Sequence, residues 1–312
     1  MDDRTDKSTP IDQGVISQAV PAPSKTPLFQ SIHALRYQRQ ALIQTIEDRS
    51  RCPLICYVAG ISAPIDRDDI IGFVDLLHNV SPNQDLDFLL QTPGGDTDAA
   101  DKLIATVRTK VGTGRLRIIV PDYAKSAGTL MVLGADTVVM SDTSELGPID
   151  PQIILTDADG KNPFQHSVLN YLDAFKTHSD ALKKDPNDVP ARIMLSKLDP
   201  SMLKSFEAAK ERARKCAEAQ LKQGMFKKGG NWSQTVSELL GEAKQWLSHG
   251  QPIYWNDAKD PKIGLDVTYC APTSPEWQGY WQLYCLQRLA VTDRQKLYES
   301  NRVSLVIDSS TS

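Results

Sequence analysis

The segment Tyr123–Thr129 places a serine where a predicted strand and turn give way to a helix. Small residues, Ala124, Ala127 and Gly128, surround Ser126 and leave its hydroxyl uncrowded. A nucleophilic serine needs this position, because a hydroxyl at a helix start lies beside the backbone N–H of the next residue, which points toward the same reacting oxygen. A serine there is equally suited to cap the helix. The motif alone therefore leaves two interpretations of Ser126, a nucleophile or an N-cap.

Two adjacent glycines, Gly94 and Gly95, precede this serine by about thirty residues, at another predicted strand-to-helix junction. Glycine permits positive φ and leaves the backbone uncovered. Backbone N–H groups at such a junction can bind a developing negative charge, although the glycines can also mark a plain turn. Residues 145–151 (Glu-Leu-Gly-Pro-Ile-Asp-Pro) predict a third turn, which is either the rigid wall of a cleft or only a turn.

Strands that alternate with helices must position these turns. The predicted strands are Leu54–Ala59, Leu86–Leu90, Leu116–Val120 and Asp136–Met140. The predicted helices between them are Asp66–His78, about Asp96–Lys110 with Asp96 as its cap, and about Ser126–Leu133. Alternation of elements of this size predicts crossover units, a largely parallel sheet and hence an α/β fold.

The rest of the chain divides into further predicted segments. Residues 1–26 carry too little apolar surface to offset the entropy of ordering, so we expect a disordered tail. An N-terminal helix is predicted over 27–50, a main domain over 51–270 with a helical insertion at about 167–249, and a C-terminal extension over 271–312. Within these segments the pattern favours a strand at 149–155, a loop at 157–162, and helices at 167–184, 200–226 and 233–249.

Composition excludes several classes of protein. The net charge of −4 argues against a general nucleic-acid binder, because neutralising phosphates needs a basic face. The five cysteines are odd in number and none lie in a C-x-x-C pair, so we expect free thiols rather than a disulfide framework or a zinc site. The histidines His33, His78, His178 and His249 show no metal-ligand spacing, and we expect them to be structural or on the surface.

The chain shows no signal for a membrane segment. No apolar run approaches the roughly 18–20 residues that span a bilayer. Residues 1–25 are polar, are interrupted by prolines and lack the apolar core of a signal peptide. We therefore expect a cytoplasmic protein with no transmembrane segment.

Three groups of residues, taken together in order and spacing, resemble the ClpP/crotonase superfamily. Within it they are most similar to the signal-peptide-peptidase-like branch, and specifically to the serine dehydrogenase proteinase (SDH proteinase) family. The groups are Thr92-Pro93-Gly94-Gly95, then Lys125-Ser126-Ala127-Gly128-Thr129 with Gly134-Ala135-Asp136, then Glu145-Leu146-Gly147-Pro148-Ile149-Asp150-Pro151. The resemblance covers about residues 52–180 and extends more loosely through 249–267.

The resemblance implies a fold and an activity. The implied fold is a ClpP/crotonase-like β-β-α superhelix, here with added C-terminal helices, that assembles into homo-oligomeric rings or layers. The implied activity is that of a serine endopeptidase on a peptide or protein substrate, and we expect no cofactor and no metal. The nucleophile maps to Ser126, and the oxyanion hole maps to the backbone of Gly94 or Gly95 together with Ala127.

The general base is a separate question. ClpP uses a histidine soon after its serine, and the matching stretch here, up to Asp150-Pro151, contains none. Members of the signal-peptide-peptidase-like branch use a lysine on a later helix, which maps to Lys176. A lysine acts as a base only if burial lowers its pKa toward neutrality, and Lys176 follows Phe175 beside an apolar face. We therefore predict a Ser126–Lys176 dyad.

Other residues stay open for this role. The alternatives for the base are Lys161, His166 and Lys183, and the candidates for orienting it are Ser144 and Asp150. Lys125 is poorly placed, because successive side chains at a helix start diverge by about 100°.

Two other functions stay open. A crotonase-like acyl-CoA enzyme would use the same oxyanion hole for a thioester enolate, and Glu145 is its only acidic candidate. A non-catalytic scaffold would keep the fold without the reaction. No lysine motif or glycine-rich loop assigns pyridoxal phosphate. No G-x-x-x-x-G-K-[ST] motif is present, so unfolding of substrates would need a separate partner.

Overall fold

A computed structural model describes residues 26–156, 163–241 and 248–309 of the protein. Short hydrophobic runs build the core strands. In chain order the strands are β1 (Leu54–Ala59), β2 (Leu86–Gln91), β3 (Leu116–Ile119), β4 (Tyr123–Ala124), β5 (Thr137–Met140), β6 (Glu145–Leu146), β7 (Gln152–Thr156), β8 (Pro163–Ser167), β9 (Ile253–Tyr254), β10 (Val267–Tyr269), β11 (Gln295–Glu299) and β12 (Ser304–Asp308). The predicted strands of the core, β1, β2, β3 and β5, are confirmed to within one residue at each end.

The helices follow the predicted alternation in the first half of the chain. They are α1 (Pro27–Ile32), α2 (Ala34–Ser50), α3 (Asp69–His78), α4 (Thr97–Val111), α5 (Ala127–Leu133), α6 (Val168–Lys184), α7 (Val189–Ser196), α8 (Pro200–Gln223), α9 (Trp232–Leu239), α10 (Trp255–Lys259) and α11 (Pro275–Arg288). The cap of α4 is confirmed, since the Asp96 carboxylate accepts the Ala99 N–H at 2.7 Å. None of the helices in the described ranges is long and apolar enough to cross a bilayer.

The main sheet has the order β10-β5-β3-β2-β1-β11-β12. The pairs from β10 to β1 are parallel, and β11 and β12 add an antiparallel edge. The predicted parallel core is therefore confirmed. Successive side chains of β1 point to opposite faces of the sheet, and a hydrophobic core lies on each face. Ile55 and Tyr57 enter the core under α3 and α4, whereas Cys56 and Val58 enter the core under α2 and α11.

A second, smaller sheet has the order β4-β6-β9. Strands β4 and β6 are parallel, and β9 runs antiparallel to β6. The carboxyl ends of β4 and β6 therefore lie at the same end of this sheet as the amino end of β9. Three chain segments leave from that end: the residues after Ala124, the residues after Leu146 and the residues before Ile253.

The predictions outside the core have mixed outcomes. The helix predicted over 233–249 is wrong at its end, because α9 stops at Leu239 and Gly241 then adopts a left-handed φ of 75°. His249 lies in a turn instead. The strand predicted at 149–155 begins at Gln152 and pairs with β8 in a hairpin. The predicted loop at 157–162, and the predicted tail except for Thr26, lie outside the described residues.

The C-terminal residues complete the main sheet and fix a segment near the glycine pair. Lys296 on β11 is only 2% exposed and donates hydrogen bonds to the carboxylates of Asp66 and Asp69, each at 2.7 Å. The hydroxyl of Tyr298 also donates to Asp69. Asp66 directly follows Ile65, whose backbone pairs with Gly94 and Asp96. The buried ion pair therefore holds the segment against which the glycine pair lies.

Candidate active site

Ser126 occupies a strained turn between β4 and α5. Its backbone has φ 51° and ψ −115°, which is unusual for a residue with a Cβ and costs about 1–3 kcal/mol. Ser126 stands at the N-cap position of α5, but its side chain makes no capping hydrogen bond. The N-cap serines Ser167 and Ser274, by contrast, each accept a backbone N–H. The N-cap interpretation of Ser126 therefore does not describe this hydroxyl.

Glycines allow neighbouring segments to approach this turn closely. A Cβ on Gly94, whose φ is 100°, would lie 2.8 Å from the Cβ of Ser126 and 2.7 Å from the carbonyl oxygen of Lys125. A Cβ on Gly147 would lie 2.8 Å from Cδ of Lys125 and 3.5 Å from the backbone nitrogen of Ser126. All three sequence motifs therefore meet at Ser126, as the resemblance predicts.

A buried threonine joins two of these segments. The Oγ1 atom of Thr129 lies 2.8 Å from the carbonyl oxygen of Ala124 and 2.9 Å from that of Gly147, within hydrogen-bond distance of both. The same oxygen accepts the Gly147 N–H at 3.1 Å. Thr129 is fully buried, so these bonds fix the turn that follows β6 beside the first turn of α5.

Residues Thr92–Gly95, the glycine segment, lie between the segment that contains Tyr123 and the segment that contains Ile65. On one side the Thr92 N–H donates to the Tyr123 carbonyl at 3.0 Å, and on the other side the Ile65 N–H donates to the Gly94 carbonyl at 2.7 Å. The C=O and N–H of one trans peptide group point in opposite directions. The N–H of Gly95 therefore points away from Ile65, toward the side on which β4 leads to Ser126.

The backbone N–H groups of Gly95 and Ala127 are among those near Ser126 that have no acceptor in the part of the chain that the structure describes. Ala127 is the first residue of α5, where an N–H has no partner within the helix. The Gly94 N–H, by contrast, donates to Oγ1 of Thr92 at 3.2 Å. Of the two predicted glycines, Gly95 is thus the one whose N–H has no acceptor among the described residues, and Gly94 is the one that approaches the Ser126 turn closely.

A histidine and an aspartate form a pair at the same end of the small sheet. Nδ1 of His249 lies 2.7 Å from Oδ1 of Asp150. The side chains are 23% and 9% exposed, respectively. The other carboxylate oxygen of Asp150 accepts a hydrogen bond from Nε2 of Gln152 at 2.6 Å. Sequence reasoning named Asp150 as a group that could orient a base, but it did not identify His249 as the partner of Asp150, because the two residues lie 99 positions apart and no periodic pattern joins them.

Lys176, the predicted base, lies on α6 with 76% of its side chain exposed. Its Nζ forms an ion pair with Asp180 at 2.9 Å. That hydrogen bond raises the pKa of Lys176, and a general base at neutral pH needs a lowered one. The structure therefore does not bring Lys176 to Ser126 as a prepared base, and the dyad stays a prediction. Lys183, also on α6, pairs with the same Asp180 at 3.1 Å.

The remaining candidates for the base have other surroundings. Lys161 lies outside the described residues. His166 is on β8, and its ring makes an edge-on contact with Tyr171. Nζ of Lys125 is held by Glu145 at 2.9 Å and by the Leu146 carbonyl at 3.2 Å.

Ser144, the other candidate for orienting a base, is part of a buried turn. Its hydroxyl donates to the Val120 carbonyl at 2.6 Å and accepts the Ser141 N–H at 2.8 Å. Both contacts are with backbone groups, so they fix the turn before β6. Across the described ranges, no group of three or more His, Cys, Asp and Glu residues could hold a metal ion.

Comparison with curated proteins finds short matches. Two uncharacterized proteins of Methanocaldococcus jannaschii are similar to parts of the chain. One is 41% identical over 68 residues, which cover 22% of this chain and 23% of the relative. The other is 32% identical over 88 residues, which cover 28% of each chain. The chain thus spans about a quarter of the length of these curated relatives.

Among solved structures, ClpP1 from Listeria monocytogenes is similar to the chain with a TM-score of 0.39 and 13% sequence identity, covering 75% of this chain and 96% of ClpP1. A mutant of the same protein gives a TM-score of 0.38 at 13% identity, covering 77% and 98%. The profile of the family described as ClpP-like SDH-type serine proteinase matches residues 63–272, which include Ser126, the glycine pair and the turn after β6. The chain has a ClpP-like α/β fold and belongs to this family of serine proteinases.

Proposed function

We propose that this protein is a serine peptidase in which Ser126 is the nucleophile. The observation that carries the proposal is the backbone of Ser126, a non-glycine residue at positive φ whose hydroxyl makes no capping bond. Strain of this kind persists only where neighbouring structure holds it, and it exposes a nucleophile at the start of a helix. Family membership supports the same reaction class.

The oxyanion of the tetrahedral intermediate would be held by the N–H groups of Gly95 and Ala127. Both groups lack an acceptor among the described residues, and they come from the two segments that meet at Ser126. Donors that are already oriented stabilise the charge without reorganising during the reaction, and one such donor is worth about 100- to 1000-fold in rate. Gly94 supports this arrangement through its contact with the Ser126 turn.

A Ser–Lys dyad remains one form of the mechanism. Lys176 would first have to leave Asp180 and become desolvated, because the ion pair stabilises its protonated form. The acyl-CoA alternative gains no support from Glu145, whose carboxylate is paired with Lys125. The proposed substrate is a peptide or protein, and the proposed assembly is a homo-oligomer in the cytoplasm.

The proposal is tested by treating the purified chain with a fluorophosphonate probe and mapping the adduct by mass spectrometry. We expect one adduct on Ser126 and none in Ser126→Ala. Ser274→Ala is the matched control, because it removes a serine that does cap a helix, and it should label like the wild type. An adduct that persists in Ser126→Ala, or a folded wild-type protein that is never labelled, would refute the proposal.

A further inference from the structure

We propose that a charged cluster, formed by Lys296, Asp66 and Asp69, positions the backbone N–H of Gly95 for the oxyanion. This inference rests on the proposed function, since it concerns the oxyanion donor of the same site. The observation behind it is that a buried lysine of β11 bonds two carboxylates at the end of the segment against which Gly95 packs. Lys296 lies beyond residues 63–272, so the match to the family profile does not cover it.

The charged cluster has a fixed geometry. Oδ1 of Asp69 accepts hydrogen bonds from Nζ of Lys296 at 2.7 Å and from the hydroxyl of Tyr298. Oδ2 of Asp69 accepts the Tyr57 hydroxyl at 3.1 Å and the Asp66 N–H at 3.0 Å. Nζ of Lys296 also donates to Oδ2 of Asp66 at 2.7 Å. Since the side-chain donors come from β1 and β11, these bonds tie Asp66 to the main sheet.

The chain just before β11 holds the start of the same segment, residues 60–66, which follows β1. The Gly60 N–H donates to the Gln295 carbonyl at 2.8 Å, and the Ser62 N–H donates to the Asp293 carbonyl at 2.8 Å. A Cβ on Gly60 would lie 2.3 Å from the carbonyl oxygen of Asp293, so the two backbones are in direct contact. Segment 60–66 is therefore fixed at its start by backbone bonds and at its end by the charged cluster.

Segment 60–66 in turn determines the orientation of the Gly95 N–H. Ile65 precedes Asp66, and its N–H donates to the Gly94 carbonyl at 2.7 Å. The Gly94 carbonyl and the Gly95 N–H belong to one planar peptide group, so this bond orients both. A Cβ on Gly95 would lie 2.3 Å from the carbonyl oxygen of Ile65, so the two backbones are as close as a glycine allows. A displacement of Ile65 would therefore move the Gly95 N–H.

Stability alone does not call for charges in this cluster. Replacing a whole buried ion pair by apolar residues of similar volume is often neutral or stabilising, whereas hydrogen bonds to charged groups fix distances and directions. An oxyanion donor must be oriented before the reaction begins, and a misplacement near 1 Å can reduce a rate about 100-fold. A positioning role accounts for a buried lysine at the end of segment 60–66.

A second buried ion pair on β11 separates this positioning role from a purely structural one. Glu299 pairs with Arg39 of α2 at 2.9 Å, and their side chains are 0% and 7% exposed, respectively. Glu299 and Lys296 are three positions apart on the strand, so their side chains point to opposite faces of the sheet. Among the described residues, neither Arg39 nor Glu299 is hydrogen-bonded to segment 60–66.

The test measures fluorophosphonate labelling of Ser126 at increasing probe concentration, in full-chain variants that circular dichroism shows to be folded. We expect Lys296→Met to lower the maximal labelling rate at least about 10-fold, with the concentration for half-maximal rate unchanged, because the displaced donor acts on the transition state. Arg39→Met is the matched control. It breaks the other buried ion pair of β11, so it should lose a similar amount of stability and keep the wild-type labelling rate.

Asp66→Ala keeps the ion pair between Lys296 and Asp69 and removes the bond from Lys296 to the end of segment 60–66. The Asp66 side chain is 30% exposed, so this variant should fold, and we expect labelling at least about 5-fold slower than in the wild type. The inference is overturned if Asp66→Ala or folded Lys296→Met labels at the wild-type rate, or if Arg39→Met slows labelling as much as Lys296→Met. A wild-type protein that is not labelled at Ser126 would overturn the proposed function itself, which distinguishes the two failures.

Discussion

Replacing Gly94 by alanine tests whether the glycine segment positions Ser126. The new Cβ would meet the Lys125 carbonyl oxygen at 2.7 Å and the Ser126 Cβ at 2.8 Å, which is about 0.6–0.7 Å closer than ordinary van der Waals contact. Backbone cannot yield as a flexible side chain does, so the Ser126 turn must shift by a similar amount. A misplacement near 1 Å can reduce an enzymatic rate about 100-fold, and we expect a loss of about 10- to 100-fold here.

Gly229→Ala is the matched control for this substitution. Gly229 also has positive φ, 108°, but a Cβ there has no neighbour within 4 Å. Both variants should lose about 1–2 kcal/mol of unfolding free energy from backbone strain. Only Gly94→Ala should lower the rate at which Ser126 is labelled.

The assay combines thermal unfolding with the rate of fluorophosphonate labelling, so that strain and site geometry are measured separately. The two variants should share the decrease in melting temperature that strain causes, and Gly94→Ala should show a further decrease from the steric overlap. If Gly94→Ala labels Ser126 at the wild-type rate, the turn is not held by the glycine segment and the reasoning fails.

Three further predictions concern stability and thiol reactivity. Lys296→Met should lower the unfolding free energy by about 3–5 kcal/mol in chemical denaturation, because it leaves the Asp69 carboxylate buried without its cation; a loss below about 1 kcal/mol would contradict the buried ion pair. Asp96→Ala should lower it by about 1 kcal/mol, since the cap of α4 is lost, and an unchanged denaturation midpoint would argue against that cap. With a thiol reagent at pH 8, Cys285 should react first, because it is the exposed cysteine. Cys52 should react far more slowly, since burial raises the pKa of its thiol to about 12 and little thiolate forms; equal rates for the two would refute this.

Local signals were sufficient for much of the core. The strand Leu54–Ala59 has the predicted bounds because an unbroken apolar run is buried on both faces of the main sheet. The start of α4 was predicted from the type of one residue, Asp96. The meeting of the three motifs at Ser126 came from the family resemblance, since spacing along the chain does not show which turns share an end of a sheet.

The features that could not be predicted depend on contacts between residues far apart in the sequence. Strand β11 carries two buried charged residues, Lys296 and Glu299, so its sequence lacks the apolar pattern that predicts a buried strand. Their charges are neutralised by Asp69 and Arg39, respectively, which lie far away in the sequence. Strands β4, β6 and β9 have two residues each, too few for any periodicity. The partner of Asp150 could not be predicted either, because only the fold brings His249 next to it.

The most direct test of the central claim is peptide-bond hydrolysis that depends on Ser126. A mixture of unfolded proteins is incubated with the wild type and with Ser126→Ala, and newly formed amino termini are identified by mass spectrometry. We predict new termini that accumulate with time in the wild-type reaction and are absent with Ser126→Ala. The same termini from both proteins, or none from a folded wild-type protein that labels at Ser126, would contradict the assignment of this protein as a serine peptidase.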